Sequence, residues 1–313
     1  MRDNKHGAAG HVSGVKSGRL SGWKGAASEL VTPFDVEGHV MLDLVSQEIE
    51  FMASAGISGV MVNGFASEVL LMNDEDRMAA ARTAKESAPL DFPIMGTVLA
   101  GSVVEGVRWV RGYEKIGLDC IAIGTPPLYP YGVDALVDYY IQIAASTELP
   151  VYVYNSPEWG NKLPPEAVAR IIDVSPNVVG LKDATHSLIE LQSLYEMIGK
   201  ERVSVLSGSD ALTVPMMLVG AQGVISLVTV VFPELIVSLC QAAARGDWSE
   251  AMALQSKVMR VRSALKIGPF MAAYKHVGNL TGHPLGTSRA PLRALTSEEA
   301  KAVEAGLDAE GML

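Results

Sequence analysis

Short apolar runs alternate with longer amphipathic segments along the chain from Lys24 onward. The short runs are rich in β-branched residues, and the longer segments repeat their apolar residues at helical spacing. Strands that alternate with helices are typical of a parallel sheet built from repeated strand and helix units. The predicted strands cover residues 26–31, 59–63, 93–98, 120–123, 151–155, 178–182, 203–207 and 223–228.

Eight strands in this alternation indicate a closed α/β barrel, and we predict the TIM (β/α)8 fold for residues 23–232. The predicted helices between the strands cover residues 42–55, 74–87, 103–116, 133–146, 165–174, 187–198 and 212–218. Helical patterns at residues 233–245, 248–267, 269–277 and 297–305 predict a C-terminal helical subdomain over residues 233–313. Residues 1–22 show no periodicity and are expected to form a mobile extension.

Composition narrows the possible partners and the location. A chain of 313 residues with 49% hydrophobic residues can bury a large core. The net charge of -10 argues against nucleic acid as a partner, because phosphate binding needs clustered Lys and Arg. We find no apolar stretch long enough to cross a bilayer and no secretory signal, so we expect no membrane partner and a cytoplasmic location.

The cysteines and histidines offer little support for a bound metal. Cys120 and Cys240 lie far apart in apolar segments, which predicts two buried thiols and no disulfide. The six histidines lack metal-ligand spacing. No glycine-rich nucleotide-binding pattern follows a predicted strand. We therefore expect neither a metal nor an organic cofactor.

Lys182 and Tyr154 stand out because each closes an apolar strand. Burial disfavours the ammonium form of a lysine and lowers its pKa, which would leave a neutral amine able to attack a carbonyl carbon. A neighbouring tyrosine could pass protons to and from the adduct. Taken singly, Lys182 could pair with Asp183, and Tyr154 could be a core aromatic. Their shared position at the carboxyl ends of neighbouring strands favours imine chemistry.

Residues 64–68 form a candidate carboxylate-binding segment, which we call the cradle. They read Gly-Phe-Ala-Ser-Glu and follow a predicted strand at the start of a turn into a helix. Successive backbone N–H groups at such a turn can hold a carboxylate. A 2-oxo acid carries a carboxylate beside its carbonyl group, so the cradle and Lys182 together predict a 2-oxo acid as the substrate.

Several motifs together resemble the dihydrodipicolinate synthase and N-acetylneuraminate lyase family of Schiff-base-forming barrel enzymes. They are Thr32-Pro33-Phe34, the Gly64 and Glu68 frame, Tyr154-Asn155 with Pro157, Gly180-Leu181-Lys182, Gly208-Ser209-Asp210 and residues 220–226, in a resemblance that covers nearly all of residues 24–313. The resemblance implies that Lys182 forms an imine with pyruvate or another 2-oxo acid while Tyr154 relays protons. It also implies that a carbon-carbon bond to an aldehyde is made or cleaved, and that the protein is a homotetramer, a dimer of dimers.

The chain departs from this family at positions that bind substrate. Phe65 and Ala66 stand where the family usually carries two hydroxyl residues, so carboxylate binding would depend more on backbone N–H groups and on Ser67. The arginine that holds the aldehyde substrate's carboxylate in dihydrodipicolinate synthases is absent after Tyr154, and Glu158 would repel a dicarboxylate. True dihydrodipicolinate synthesis is therefore not expected.

Further contacts are predicted at the mouth of the barrel. The predicted substrate-binding residues are Phe65, Ala66, Ser67, Ile225 and Trp159. The two large aromatic rings among them point to a less polar or aromatic second substrate. In the proline-rich loop at 125–131, Tyr129 is the predicted relay partner of Tyr154. The alternatives are that Tyr131 reaches the site, or that both loop tyrosines only pack within the loop.

The main prediction is a carbon-carbon lyase with Lys182, Tyr154 and Tyr129 as catalytic residues, and two other functions remain open. A dehydratase of a 2-oxo sugar acid would use the same imine but expel a hydroxyl group. A catalytically silent ligand-binding homologue would explain the missing hydroxyl residues and the missing arginine. Retention of Lys182 argues against the silent homologue, because a buried lysine without a covalent role is costly.

Overall fold

The computed structural model describes residues 23–313, and the predicted mobile extension at 1–22 lies outside the described residues. Eight parallel strands pair in sequence order, and β1 pairs with β8 to close the barrel. The strands are β1 (Gly25–Glu29), β2 (Val60–Val62), β3 (Ile94–Val98), β4 (Cys120–Gly124), β5 (Val151–Asn155), β6 (Val178–Asp183), β7 (Ser204–Ser207) and β8 (Gly223–Ser226). The predicted (β/α)8 barrel is therefore confirmed.

Helices follow the strands in the predicted order. They are α1 (Leu42–Ser54), α2 (Asp74–Ser87), α3 (Val103–Ile116), α4 (Val133–Ala144), α5 (Pro165–Val174), α6 (Leu188–Ile198), α7 (Thr213–Val219), α8 (Pro233–Ala244), α9 (Trp248–Ala264), α10 (Ala272–Leu280) and α11 (Ser297–Asp308). Helix α8 packs against both β1 and α9, so it joins the barrel to the last helices. The domain boundary at residue 232 stays a prediction.

Alternation along the strands separates two apolar layers. Residues that face outward pack against the helices in the larger core. The inward-facing layer includes Ala27, Met61, Met95, Ala122, Tyr152, Leu206 and Ile225. Tyr152 is fully buried, and a Cβ on Gly180 of the neighbouring strand would collide with its ring. Glycine at position 180 therefore makes room for a large side chain inside the barrel.

Two further expectations from the sequence concern the cysteines and membrane-spanning helices. Cys120 and Cys240 are buried and unbonded, as the sequence predicted. Burial raises the pKa of the Cys240 thiol to about 12 and that of Cys120 well above its ordinary value, so neither is a thiolate at neutral pH. Between residues 23 and 313, no helix has the length and apolar character that crossing a membrane would require.

Candidate active site

Lys182 and Tyr154 lie side by side inside the barrel. Strands β5 and β6 run parallel with these two residues directly opposite each other. Only 1% of Lys182 and 3% of Tyr154 is exposed, and the Lys182 Nζ atom lies 4.1 Å from the centre of the Tyr154 ring. The structure thus brings together the two residues that the sequence singled out for imine chemistry.

Glu29 is a third buried polar residue at this point, and the sequence analysis did not single it out. It is the last residue of β1, and its Oε2 atom lies 2.6 Å from Lys182 Nζ. Its other oxygen, Oε1, accepts a hydrogen bond of 2.6 Å from the backbone N–H of Ala66. The Glu29 carboxylate therefore bridges the candidate nucleophile and the cradle.

Glu29 changes the expected charge of Lys182. Burial lowers the pKa of the amine, but the Glu29 carboxylate and the Tyr154 phenol raise it, and the balance leaves the pKa of Lys182 above its ordinary value. The predicted neutral amine is therefore wrong for the resting protein, because that prediction lacked the carboxylate across the barrel. Burial raises the pKa of Tyr154 to about 12 against the opposing effect of Lys182, so the phenol is protonated and can donate.

The cradle is filled by groups of the protein itself. Ala66 and Ser67 are both fully buried. The Ala66 N–H is bonded to Glu29, and the Ser67 hydroxyl donates to the carbonyl oxygen of Leu30 at 2.7 Å. A Cβ on Gly64 would collide with Glu29 Oε1, so the glycine leaves room for that carboxylate. Contact of Ala66 and Ser67 with substrate stays a prediction.

A second buried lysine fixes the end of the cradle. Lys275 of α10 places its Nζ atom 2.6 Å from Glu68 Oε1 and donates to the carbonyl oxygens of Thr32 and Thr287 at 2.8 and 2.7 Å. Glu68 itself has a left-handed backbone, with φ of 54°. Through these three contacts, Lys275 ties the cradle to the loop after β1 and to the C-terminal segment. The contacts indicate a positioning role for Lys275.

A cavity of about 340 Å³ opens over Lys182 at the carboxyl ends of the strands. Its lining includes Glu29, Phe65, Tyr154, Glu158, Lys182, Ile225, Arg262, Lys266, Phe270 and Tyr274. Phe65 and Ile225 thus lie where the sequence analysis expected them. Trp159 is buried and packs edge-on against Phe65 and Tyr154, with ring centres 5.2 and 6.2 Å apart. Trp159 does not itself line the cavity but supports two residues that do, so its predicted contact with substrate stays a prediction.

Tyr129 is not brought to Tyr154 within the chain. Its side chain is 65% exposed and does not line the cavity. Asn161 anchors the loop by donating from Nδ2 to the carbonyl oxygens of Pro126 and Tyr129, each at 2.8 Å, and by accepting from the Tyr131 N–H at 3.1 Å. These contacts hold the loop with Tyr129 exposed, so the role of Tyr129 as the relay partner of Tyr154 stays a prediction.

One carboxylate and histidine cluster lies outside the cavity. Ligand atoms of Asp35, Glu37 and His39 lie within 4.8 Å of one another in the loop between β1 and α1. The Asp35 carboxylate already accepts the backbone N–H of His39 at 2.8 Å and lies 3.1 Å from its ring nitrogen Nδ1. These contacts account for the cluster as a loop-stabilising arrangement.

The closed barrel and the cavity at the carboxyl ends of its strands define a (β/α)8 barrel protein with its candidate site where such enzymes carry theirs. Residues 23–310 match the Dihydrodipicolinate synthetase family. The chain belongs to this family, and the predicted resemblance is confirmed.

Individual relatives are distant but cover almost the whole chain. An uncharacterised DapA-like lyase of Halobacterium salinarum is 32% identical over 304 residues, which are 97% of this chain and 99% of that protein. The 4-hydroxy-tetrahydrodipicolinate synthase of Methanosphaerula palustris is 28% identical over 90% of this chain and 97% of its own length. The solved structure of the 4-hydroxy-tetrahydrodipicolinate synthase from Methylacidiphilum fumariolicum SolV has a TM-score of 0.87 at 26% identity, covering 92% of this chain and 96% of that chain.

Proposed function

We propose that this protein is a lyase in which Lys182 forms a Schiff base with a substrate carbonyl carbon and a carbon-carbon bond next to the imine is made or cleaved. The observation that carries the proposal is the buried Lys182 amine, which faces Tyr154 on the floor of the cavity. The membership of the chain in a family with relatives named as lyases and synthases supports it.

The arrangement offers a route for each proton. Attack requires a neutral amine, and Glu29 Oε2, 2.6 Å from Nζ, can accept the proton that the ammonium group must lose. The amine then adds to the carbonyl carbon, and the protonated Tyr154 phenol donates to the oxygen and takes a proton back from the nitrogen. The proton held by Glu29 passes to the resulting hydroxyl group, which leaves as water and restores the Glu29 carboxylate. In the cleavage direction, the protonated imine draws electrons from the bond between the first and second carbon atoms beyond the imine carbon. The hydroxyl group on the second carbon gives its proton to the Glu29 carboxylate, that fragment leaves as an aldehyde, and an enamine remains on Lys182. The reverse sequence makes the bond.

The family resemblance adds pyruvate or another 2-oxo acid as the expected carbonyl compound and an aldehyde as its partner. A dehydratase would share the imine step. Dihydrodipicolinate synthesis is not part of the proposal, because the arginine that dihydrodipicolinate synthases carry after Tyr154 is absent and Glu158 lines the cavity. The proposal includes a cytoplasmic location and assembly as a homotetramer. Sedimentation velocity of the purified protein measures the mass of the assembly and so tests the homotetramer.

Trapping of the imine tests the proposal. The protein is incubated with a panel of 2-oxo acids, aldehydes and ketones in the presence of cyanoborohydride, and the intact mass is measured. We expect a reduced adduct that maps to Lys182 and is lost in Lys182→Ala. Lys266→Ala is the matched control, because Lys266 is the other lysine that lines the cavity, and it should keep the adduct. The absence of an adduct with every compound would overturn the proposal and favour a silent homologue.

A further inference from the structure

The position of Glu29 bears on which carbonyl compound the site accepts. An imine between Lys182 and a 2-oxo acid carries a carboxylate on the carbon atom bonded to Nζ. That carboxylate would lie beside Nζ, and the N–H groups of the cradle are its predicted donors. In the structure, Glu29 fills both positions, with Oε2 2.6 Å from Lys182 Nζ and Oε1 2.6 Å from the Ala66 nitrogen.

We propose that Glu29 is a specificity-determining residue that supplies the carboxylate which the substrate would otherwise bring. The site then takes a carbonyl compound with no carboxylate beside its carbonyl group, namely an aldehyde or a simple ketone. This inference rests on the proposed Schiff-base function and narrows its substrate class away from the 2-oxo acids expected from the family resemblance.

Electrostatics opposes a second carboxylate at this point. Two carboxylates that share a buried site repel each other, and one of them must take up a proton or leave. Glu29 is 3% exposed, and displacing it would leave the Lys182 ammonium group and the Ala66 N–H without their partner. Removing one member of a buried ion pair is strongly unfavourable. An incoming carboxylate would therefore have to compete with a partner that is already in place.

The surrounding residues favour Glu29 over an external carboxylate. Gly64 leaves the space that Glu29 Oε1 occupies. Phe65 and Ala66 offer no side-chain donor, and the Ser67 hydroxyl is bonded to the Leu30 carbonyl oxygen. Phe65 instead packs on Phe270 with ring centres 4.5 Å apart and lines the cavity. The cradle thus turns an apolar ring, and no free side-chain donor, toward the cavity.

The test compares two small ketones that differ at one position. Pyruvate and hydroxyacetone are each incubated with the full-length protein and cyanoborohydride, and the rate of adduct formation on Lys182 is followed by mass spectrometry. The ratio of the two rates is the readout, because a change at Glu29 also alters the pKa of Lys182 and so both rates. In the wild type we expect hydroxyacetone to react at least tenfold faster than pyruvate.

Two variants separate the charge of Glu29 from its volume. Glu29→Ala empties the cradle and should shift the ratio toward pyruvate at least tenfold. Glu29→Gln keeps an acceptor for the Ala66 N–H but removes the charge, so its ratio should lie between those of Glu29→Ala and the wild type. Circular dichroism and thermal melting check that both variants fold. If Glu29→Ala fails to fold, Glu29→Gln alone carries the test.

Three outcomes decide the matter. The expected ratios would support the inference. A wild-type protein that traps pyruvate at least as fast as hydroxyacetone, with the preference unchanged in Glu29→Gln, would overturn it while leaving the Schiff-base proposal intact. The absence of an adduct with either ketone and with every aldehyde of the panel would overturn the Schiff-base proposal itself, and the inference with it.

Discussion

Lys182 and Glu29 are 153 residues apart in the sequence, yet their Nζ and Oε2 atoms lie 2.6 Å apart inside the barrel. They sit on β6 and β1, and closure of the sheet turns both side chains into the same space. The candidate nucleophile is thus held as half of a buried ion pair. Its charge, and hence its reactivity, depends on a carboxylate from the opposite side of the barrel.

This pair predicts a shift in the pH dependence of imine formation. Because the pKa of Lys182 lies above its ordinary value in the wild type, the rate of adduct formation should rise with pH across the range from 7 to 10. In Glu29→Gln, burial still lowers the pKa and the carboxylate no longer opposes it, so the profile should move to lower pH. Trapping rates with one aldehyde over this range measure both profiles. Coinciding profiles would show that Glu29 does not control the amine.

Replacing Tyr154 by phenylalanine should slow imine formation without disturbing the fold. General acid-base catalysis typically contributes about 10² to 10⁴-fold, and we expect a loss in this range for Tyr154→Phe. The matched control is Tyr140→Phe, because the Tyr140 hydroxyl donates to the backbone carbonyl oxygen of Tyr154 at 3.2 Å and not to its phenol. Single-turnover trapping measures the rates, and an equal loss in both variants would indicate a packing effect instead of proton transfer.

The sequence was sufficient for the barrel and for part of the site. Periodicity locates strands and helices because it reflects burial along each element. Lys182 and Tyr154 stand out because each closes an apolar strand. Glu29 also carried a signal, since it lies in an apolar strand on the same face as Ala27. Its meaning depends on a partner five strands later, which only closure of the barrel reveals.

The position of Tyr129 could not be predicted for a related reason. Its loop is anchored by hydrogen bonds from Asn161, which lies 32 residues further along the chain. A local sequence pattern places a tyrosine in the loop but does not determine the direction of its ring. Likewise, Glu68, which has a left-handed backbone, forms an ion pair with Lys275. This ion pair joins two segments that are distant in sequence.

The position of Phe65 in the cavity leads us to expect a preference for apolar carbonyl compounds. Its ring lines the cavity and is held edge-on by Trp159 and Phe270, with ring centres 5.2 and 4.5 Å away. In Phe65→Ala we expect the apparent KM for an aromatic aldehyde to rise about tenfold, which corresponds to about 1.4 kcal/mol, while acetaldehyde is affected less. Leu128→Ala is the control, because Leu128 is 79% exposed. Equal effects on the two aldehydes would argue against an aromatic contact.

Removing the Lys275 ammonium group should greatly lower the free energy of unfolding, and a second substitution should restore part of it. Lys275→Met leaves the Glu68 carboxylate buried without its ion-pair partner, and breaking a buried pair typically costs about 3 to 5 kcal/mol. Adding Glu68→Gln removes the uncompensated charge and should restore part of the loss. Urea unfolding of the two single variants and the double variant gives the coupling free energy. A coupling near zero would mean that the two residues do not stabilise each other.

The buried carboxyl group of Glu48 should make the stability of the fold depend on pH. This fully buried residue of α1 accepts the Val31 N–H at 3.0 Å, and burial raises the pKa of its carboxyl to about 8, with the Val31 hydrogen bond and Lys275 opposing. The folded protein therefore holds this proton more tightly than the unfolded chain. Between the ordinary value of 4.5 and about 8, only the unfolded state loses the proton, so the contribution to stability falls as pH rises.

Glu48→Gln keeps the shape of this side chain but cannot ionise. Its free energy of unfolding should match that of the wild type near pH 5 and exceed it near pH 8.5 by on the order of 3 to 5 kcal/mol. Urea unfolding at the two pH values measures the difference. Glu50→Gln, at an exposed position of the same helix, should retain the wild-type pH dependence. A wild-type protein that gains stability relative to Glu48→Gln as the pH rises would instead show that Glu48 is stabilised in its ionised form, through Lys275.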